Sequence, residues 1–220
     1  MLWNYTDLVE EVKAPRDRRA RQAAATRARI VEAAGRLFVE RGYAGTTIDA
    51  VAKEADVAVE TVYARFKNKR NLLDAYLDLS IVGDAQAVPL LERPEVQAVR
   101  DATDQREQVR LYARVARGVL ERNAPVQAVL RTAAAVDPEL DALVAEDDKR
   151  RRGSLRAFVE MIANRGPLRD GLSISDATDT IAAIGNPQTY AYLTQRRGWT
   201  PARVERWLAE IFTLVLLPPA

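Results

Sequence analysis

Apolar residues recur along this chain at spacings of three and four, the pattern of helices that bury one face. Alternating β-branched or aromatic runs bounded by hairpin turns, which would mark strands, are missing. The pattern therefore predicts an all-α protein. A first helix is expected from about Ala23 to Arg41, with Ile30, Ala33, Ala34, Leu37 and Phe38 on its inner face and Gly42 as its stop. A short helix should start at Thr46-Thr47, with a threonine as N-cap and Ile48, Val51, Ala52 and Ala55 inward. After the tight connection Asp56-Val57-Ala58, another short helix runs from Val59 to Phe66. Asn68 is placed to cap a fourth, which carries Leu72, Leu73, Tyr76, Leu77 and Leu79 before Gly83 and Pro89.

Beyond Pro94 the periodicity predicts helices over Glu95–Asp101, Gln105–Arg122, Pro125–Ala135 and Pro138–Arg165. Two more cover Ser175–Arg197, interrupted at Gly185-Asn186-Pro187, and Pro201–Leu217. Thr200 followed by Pro201 reads as a cap and an N1 proline. Residues 1–20 are polar and basic, contain Pro15, and read as a flexible arm.

Composition removes several function classes. The chain has no cysteine and no histidine. Disulfides, thiolate chemistry, a His-ligated metal and a Ser-His-Asp triad are therefore excluded, and no cofactor is expected. No apolar stretch approaches the ~20 residues of a membrane span, and the N-terminus lacks the apolar core of a signal peptide. A cytoplasmic protein is expected.

The net charge of +2 informs only once divided. Residues 1–70 hold 14 Lys and Arg against 10 Asp and Glu, while the rest holds 19 against 21. The excess clusters at two places. In Lys13–Arg29, Lys13, Arg16, Arg18, Arg19, Arg21, Arg27 and Arg29 face only Asp17; the second cluster is Arg65-Phe66-Lys67-Asn68-Lys69-Arg70. Clustered cations of this kind suit a polyphosphate partner, and equally a solvated face.

Three short helices with a tight turn between the second and third are the plan of a helix-turn-helix. In Val59–Phe66, Val62 and Phe66 share an inward side, leaving Glu60, Thr61, Tyr63 and Arg65 available to DNA. Lys67 and Lys69 follow, and Lys69 stands beside the amides of the next helix start, a ready anion site.

The stretch Thr26–Leu73 resembles the DNA-binding domain of the TetR/AcrR family. The resemblance is carried by Arg29-Ile30, Ala33-Ala34, Leu37-Phe38, Arg41-Gly42-Tyr43, Thr46-Thr47-Ile48, Val51-Ala52, Ala55-Asp56-Val57, Thr61-Val62-Tyr63, Phe66, Lys69 and Leu72-Leu73. It implies phosphate contacts at Thr47 and Lys69, and backbone and base contacts at Thr61 and Tyr63. Two departures stand out. Asp56-Val57-Ala58 replaces the family's usual Gly-Val-Ser and so lacks the serine cap. Arg65 stands where the family often has His or Tyr, and suits both guanine and phosphate. With Arg27, Thr46, Glu60 and Lys67, these residues make up the expected DNA-facing set.

The remainder resembles the family's regulatory domain more loosely, through Val136-Asp137-Pro138-Glu139-Leu140, Gly153–Phe158, Asn186-Pro187 with Tyr190 and Leu193, Arg197-Gly198-Trp199 and Trp207-Leu208. The expected domains are thus an arm (1–21), a DNA-binding domain (22–70) and a helical effector-binding and dimerisation domain (71–220). Ile181, Ile184, Leu193, Trp207, Ile211, Leu214 and Val215 give the last two helices enough apolar surface for a homodimer, or for completing their own core. Leu111, Tyr112, Val115, Val119, Leu130, Phe158, Ile162 and Tyr190, with Arg131 as a polar contact, are candidates to line an effector site, and serve equally as ordinary core.

The expected function is that of a dimeric transcriptional regulator, a repressor released from a pseudo-palindromic operator by a largely apolar small molecule. One alternative is a nonspecific DNA-binding protein. Another is a helical enzyme working through carboxylates, for which Glu146-Asp147-Asp148 is the one dense acidic cluster.

Overall fold

The N-terminal helix α1 runs Arg18–Arg41 and ends where Gly42, at φ +72°, lets its amide reach back to the Phe38 carbonyl. The computed structural model describes residues 18–83 and 92–219, with side chains from Arg21 onward. Most of the basic arm, including Lys13 and Arg16, lies outside the described residues, and Arg18–Ala20 extend α1 ahead of its expected start. Among the described residues every regular element is helical, and no helix is long and apolar enough to cross a membrane.

Three more helices complete the N-terminal region: α2 (Ile48–Glu54), α3 (Val59–Phe66) and α4 (Lys69–Val82). Their starts follow local chemistry. Thr47 caps α2 by accepting from the Ala50 amide, and Asn68 caps α4 by accepting from the Asn71 amide. Ala58 at the start of α3 offers no side-chain cap, as its sequence implied.

Then come α5 (Pro94–Asp101), α6 (Gln105–Ala134), α7 (Pro138–Ala163), α8 (Ile174–Ile184), α9 (Pro187–Ala191), a π-turn over Tyr192–Arg196, and α10 (Pro201–Leu216). The separate helices expected either side of Pro125 are one helix, α6, with Pro125 in its interior. Proline there forfeits one i→i−4 hydrogen bond and crowds a carbonyl. The burial of Leu120, Ala124, Val126 and Leu130 around it outweighs that local cost. At the other break, Gly185-Asn186-Pro187, the interruption is real. Asn186 caps α9 by accepting from the Thr189 amide.

The chain divides into two compact units. The first contains α1–α4 together with residues 125–146. Its core joins Ile30, Leu37, Phe38, Val51, Val62, Leu72, Leu73 and Leu77 to Val126, Leu130, Leu140 and Leu143. Gly35 is where α1 meets α4, since a Cβ there would lie 2.1 Å from Tyr76 Cε2.

The second unit contains α5, residues 105–124, residues 147–163, and everything after. Its core is built on Val99, Val109, Ala113, Phe158, Val159, Ile162, Ile181, Tyr190, Leu208 and Phe212. Arg151 donates to the Ala182 and Gly185 carbonyls, fastening the end of α8. Thr200 caps α10 through the Arg203 amide, as expected.

Candidate nucleic-acid interface

Helix α3 sorts its residues by face. Val62 is fully buried and Phe66 only 5% exposed, whereas Tyr63 is 50% exposed and Glu60, Ala64 and Arg65 stand in solvent. Thr61 is half-buried. The inward pair fixes the helix against the core, and the outward side is polar, aromatic and cationic. That is the division a helix needs in order to lie in a groove while remaining packed on its protein.

The surroundings of α3 are shaped by two cations. The Arg27 guanidinium of α1 sits 5.6 Å from the Phe66 ring centroid, placing a positive charge at the C-terminal end of α3. Arg27, Arg65, Phe66, Lys67 and Asn71 then line a shallow cleft of about 230 Å³, together with Asp74, Ala75 and Asp78 of α4. Lys67 itself joins α3 to α4 at φ +64° and ψ −44°, with the Asn68 amide donating to the Phe66 carbonyl at 2.7 Å. A γ-turn of this hand is rare and strained in a residue with a Cβ. It turns the chain sharply enough for only two residues, Lys67 and Asn68, to separate α3 from α4.

Lys69 behaves differently from its sequence reading. Its Nζ donates to the Tyr43 carbonyl at 2.9 Å and the Thr46 carbonyl at 3.1 Å, and lies 4.2 Å from the Tyr43 ring centroid. Two of the ammonium's three hydrogens therefore hold the turn between α1 and α2. Burial lowers its pKa, with the nearby Asp137 carboxylate opposing that shift. Burial, reinforced by Asp137 and Glu139, raises the pKa of the Tyr43 phenol. Arg70, beside Lys69, donates to the Glu139 carbonyl and bonds the Glu146 carboxylate at 3.0 Å, tying the start of α4 to the turn and first part of α7.

Of the other expected DNA contacts, Thr47 is exposed at the start of α2. Its oxygen accepts the cap bond, and a hydroxyl that accepts can still donate its hydrogen. Thr46 is fully buried and donates to the Gly42 carbonyl at 2.9 Å, so its side chain is a strut within the turn. Sequence periodicity did not reveal this clamp of Thr46, Tyr43 and Lys69, because the partners lie 23 and 26 residues apart.

In the second unit, Tyr112 stacks on Phe158 with centroids 3.5 Å apart, Ile162 and Tyr190 are buried, and Leu111, Val115 and Val119 are half-buried. Leu130 and Arg131 belong to the first unit. Among the dimer candidates, Ile181 is wholly buried inside its own unit and Leu214 is 63% exposed. Ile184, Leu193, Trp207, Ile211 and Val215 are intermediate.

Comparison with known proteins agrees with this geometry. Residues 30–76 match the sequence profile of bacterial regulatory proteins of the TetR family. The HTH-type transcriptional regulator TtgR of Pseudomonas putida is 46% identical over 57 residues, 26% of this chain and 27% of that protein. The HTH-type transcriptional repressor SCO4008 of Streptomyces coelicolor is 39% identical over 71 residues, 32% of this chain and 37% of its own length. The matched stretch thus spans between a quarter and two fifths of these curated relatives.

Solved structures align much further. NalD of Pseudomonas aeruginosa, the secondary repressor of the MexAB-OprM multidrug efflux pump, superposes with a TM-score of 0.64 at 21% identity, over 88% of this chain and 97% of its own. FadR of Bacillus subtilis, solved with stearoyl-CoA, gives 0.65 at 21%, over 85% and 96%. At such identities the likeness speaks for the fold, an N-terminal helix-turn-helix domain followed by a helical domain. The profile match marks residues 30–76 as similar to the DNA-binding segment of TetR-family bacterial regulatory proteins, and the solved structures share the fold of the described chain.

Proposed function

We propose that the chain is a repressor that binds a pseudo-palindromic operator as a homodimer and is released by a small, largely apolar effector. The observation that carries the reading is α3, with Val62 and Phe66 buried beneath a solvent face of Glu60, Tyr63 and Arg65. In this reading Tyr63, Thr61 and Arg65 meet bases and backbone in the major groove. Thr47, Arg27 and Lys67 hold phosphates on either side, and Lys69 offers its remaining hydrogen to another. Thr46 supports the turn from within.

Dimerisation follows from the size of the interface. A single α3 reaches only a few base pairs, and two copies spaced by one helical turn read a site of useful length. The exposed Leu214 and half-buried Trp207, Ile211 and Val215 of α10 support that role, with half-buried Ile184 at the end of α8 and Leu193 in the π-turn. Effector release follows from linkage: a molecule that prefers a state with mis-spaced recognition helices weakens DNA binding by the factor that DNA weakens its own binding. NalD's role as a repressor and FadR's complex with stearoyl-CoA are consistent with a fold that serves both DNA and small molecules.

Hydroxyl-radical footprinting on a fragment selected from the host genome tests the arrangement. Two protected patches centred ~34 Å apart are expected. One isolated half-site, or uniform protection along the fragment, would contradict it.

A further inference from the structure

Gln108 of α6 is fully buried, and among the described residues neither Oε1 nor Nε2 of its carboxamide has a hydrogen-bond partner. Buried amides are ordinarily paired, and leaving one unpaired is costly. Gln105, one turn earlier, shows the usual solution: its Nε2 donates to the Ile162 carbonyl at 3.0 Å and the Pro167 carbonyl at 3.3 Å.

Helical spacing puts Leu111, Tyr112 and Val115 on the same stripe as Gln108, at three, four and seven residues on. All three pack against the core cluster of the second unit. The Tyr112 ring lies nearly parallel to Phe158, at 11°, and tilts against Phe212 with centroids 6.3 Å apart. The stripe therefore looks toward α7 and α10, into an aromatic interior. Burial pushes the Tyr112 phenol up to about 12, against the pull of the Arg151 charge, so it stays neutral and able to donate. Arg151 itself is engaged with the Ala182 and Gly185 carbonyls. The polar chemistry of this stripe is neutral.

We propose that Gln108 is the polar anchor of an effector site on this stripe, taking a neutral, mostly aromatic or apolar molecule that carries one adjacent donor–acceptor pair, such as a primary amide or lactam. Such a group answers both ends of the carboxamide at once, whereas an ester answers only Nε2 and a hydrocarbon neither. The inference rests on the ligand-responsive reading above and names the chemistry of the ligand.

The test uses the full-length chain, wild type and Gln108→Met, with 2-naphthamide, methyl 2-naphthoate and 2-ethylnaphthalene as probes of similar shape in calorimetric titrations. Wild type should bind the amide at least ~10-fold tighter than the other two, and the variant should lose that preference. Without probe, the variant should melt roughly 2–4 °C higher, because an unpaired buried amide has been replaced by an apolar chain of similar length.

Equal amide binding by both proteins, no amide binding to wild type, or a variant that melts several degrees lower would each overturn the site. DNA binding separates this failure from that of the regulator reading. Amide that binds through Gln108 yet leaves operator affinity unchanged keeps the site and overturns effector release. Amide-driven release that is equal in both proteins keeps the regulator and overturns the site.

Discussion

A helix cap and an exposed aromatic are local properties, and at the residue scale those were the features legible in the sequence. Thr47, Asn68, Asn186 and Thr200 cap their helices through neighbours three positions on, and the sequence showed each cap or the break it borders. What a side chain touches far along the chain was not legible. Lys69 read as a phosphate contact, yet two of its hydrogens bind the Tyr43 and Thr46 carbonyls. Its removal should therefore register twice. Lys69→Ala is expected to lower the melting temperature by roughly 2–4 °C, the scale of about 1 kcal/mol in a chain of this size. It should also weaken binding to every DNA sequence, with the salt slope falling by about one unit. A variant that melts like wild type would show that the clamp contributes nothing to the turn. An unchanged slope would remove the phosphate role.

At the scale of elements, periodicity located the helices because each buries one continuous stripe, and it failed where a local rule met a long-range one. Pro125 read as a boundary because proline disrupts a helix interior, but buried neighbours on both sides carry α6 through it. Nor could spacing show that the first unit closes its core with Val126, Leu130, Leu140 and Leu143, since that cluster joins segments about 50 or more residues apart in sequence. The α1–α4 contact is another such feature. Gly35 lies against the Tyr76 ring with no room for a methyl group. Gly35→Ala, which would favour a free helix by about 1 kcal/mol, should instead destabilise this protein by ~1–3 kcal/mol through overpacking. Chemical denaturation measures the difference, and a stabilised variant would mean that α1 and α4 pack less closely than described.

At the scale of the whole molecule, burial leaves a signature in the alkaline range. It is the leading cause raising the phenol pKa values of Tyr43, Tyr76, Tyr112 and Tyr190, in the case of Tyr112 to about 12. The unfolded chain releases these protons near pH 10, ahead of the folded one. Stability from this source is therefore intact below pH 10 and is lost as pH rises toward the folded values. Melting temperature should fall from about pH 10 upward, with the 295 nm tyrosine absorbance rising as the protein unfolds. Titration of every tyrosine near pH 10 with the fold intact would contradict the burial described for both units.

Reading of DNA by α3 is tested by competition between the selected genomic fragment and bulk DNA at fixed salt. Wild type should prefer the fragment by ~10³ or more. Tyr63→Ala and Arg65→Ala, both at exposed positions, should lose much of that preference while melting within about 0.5 kcal/mol of wild type. A wild-type protein that binds both DNAs alike, or variants that discriminate as well as wild type does, would contradict the assignment.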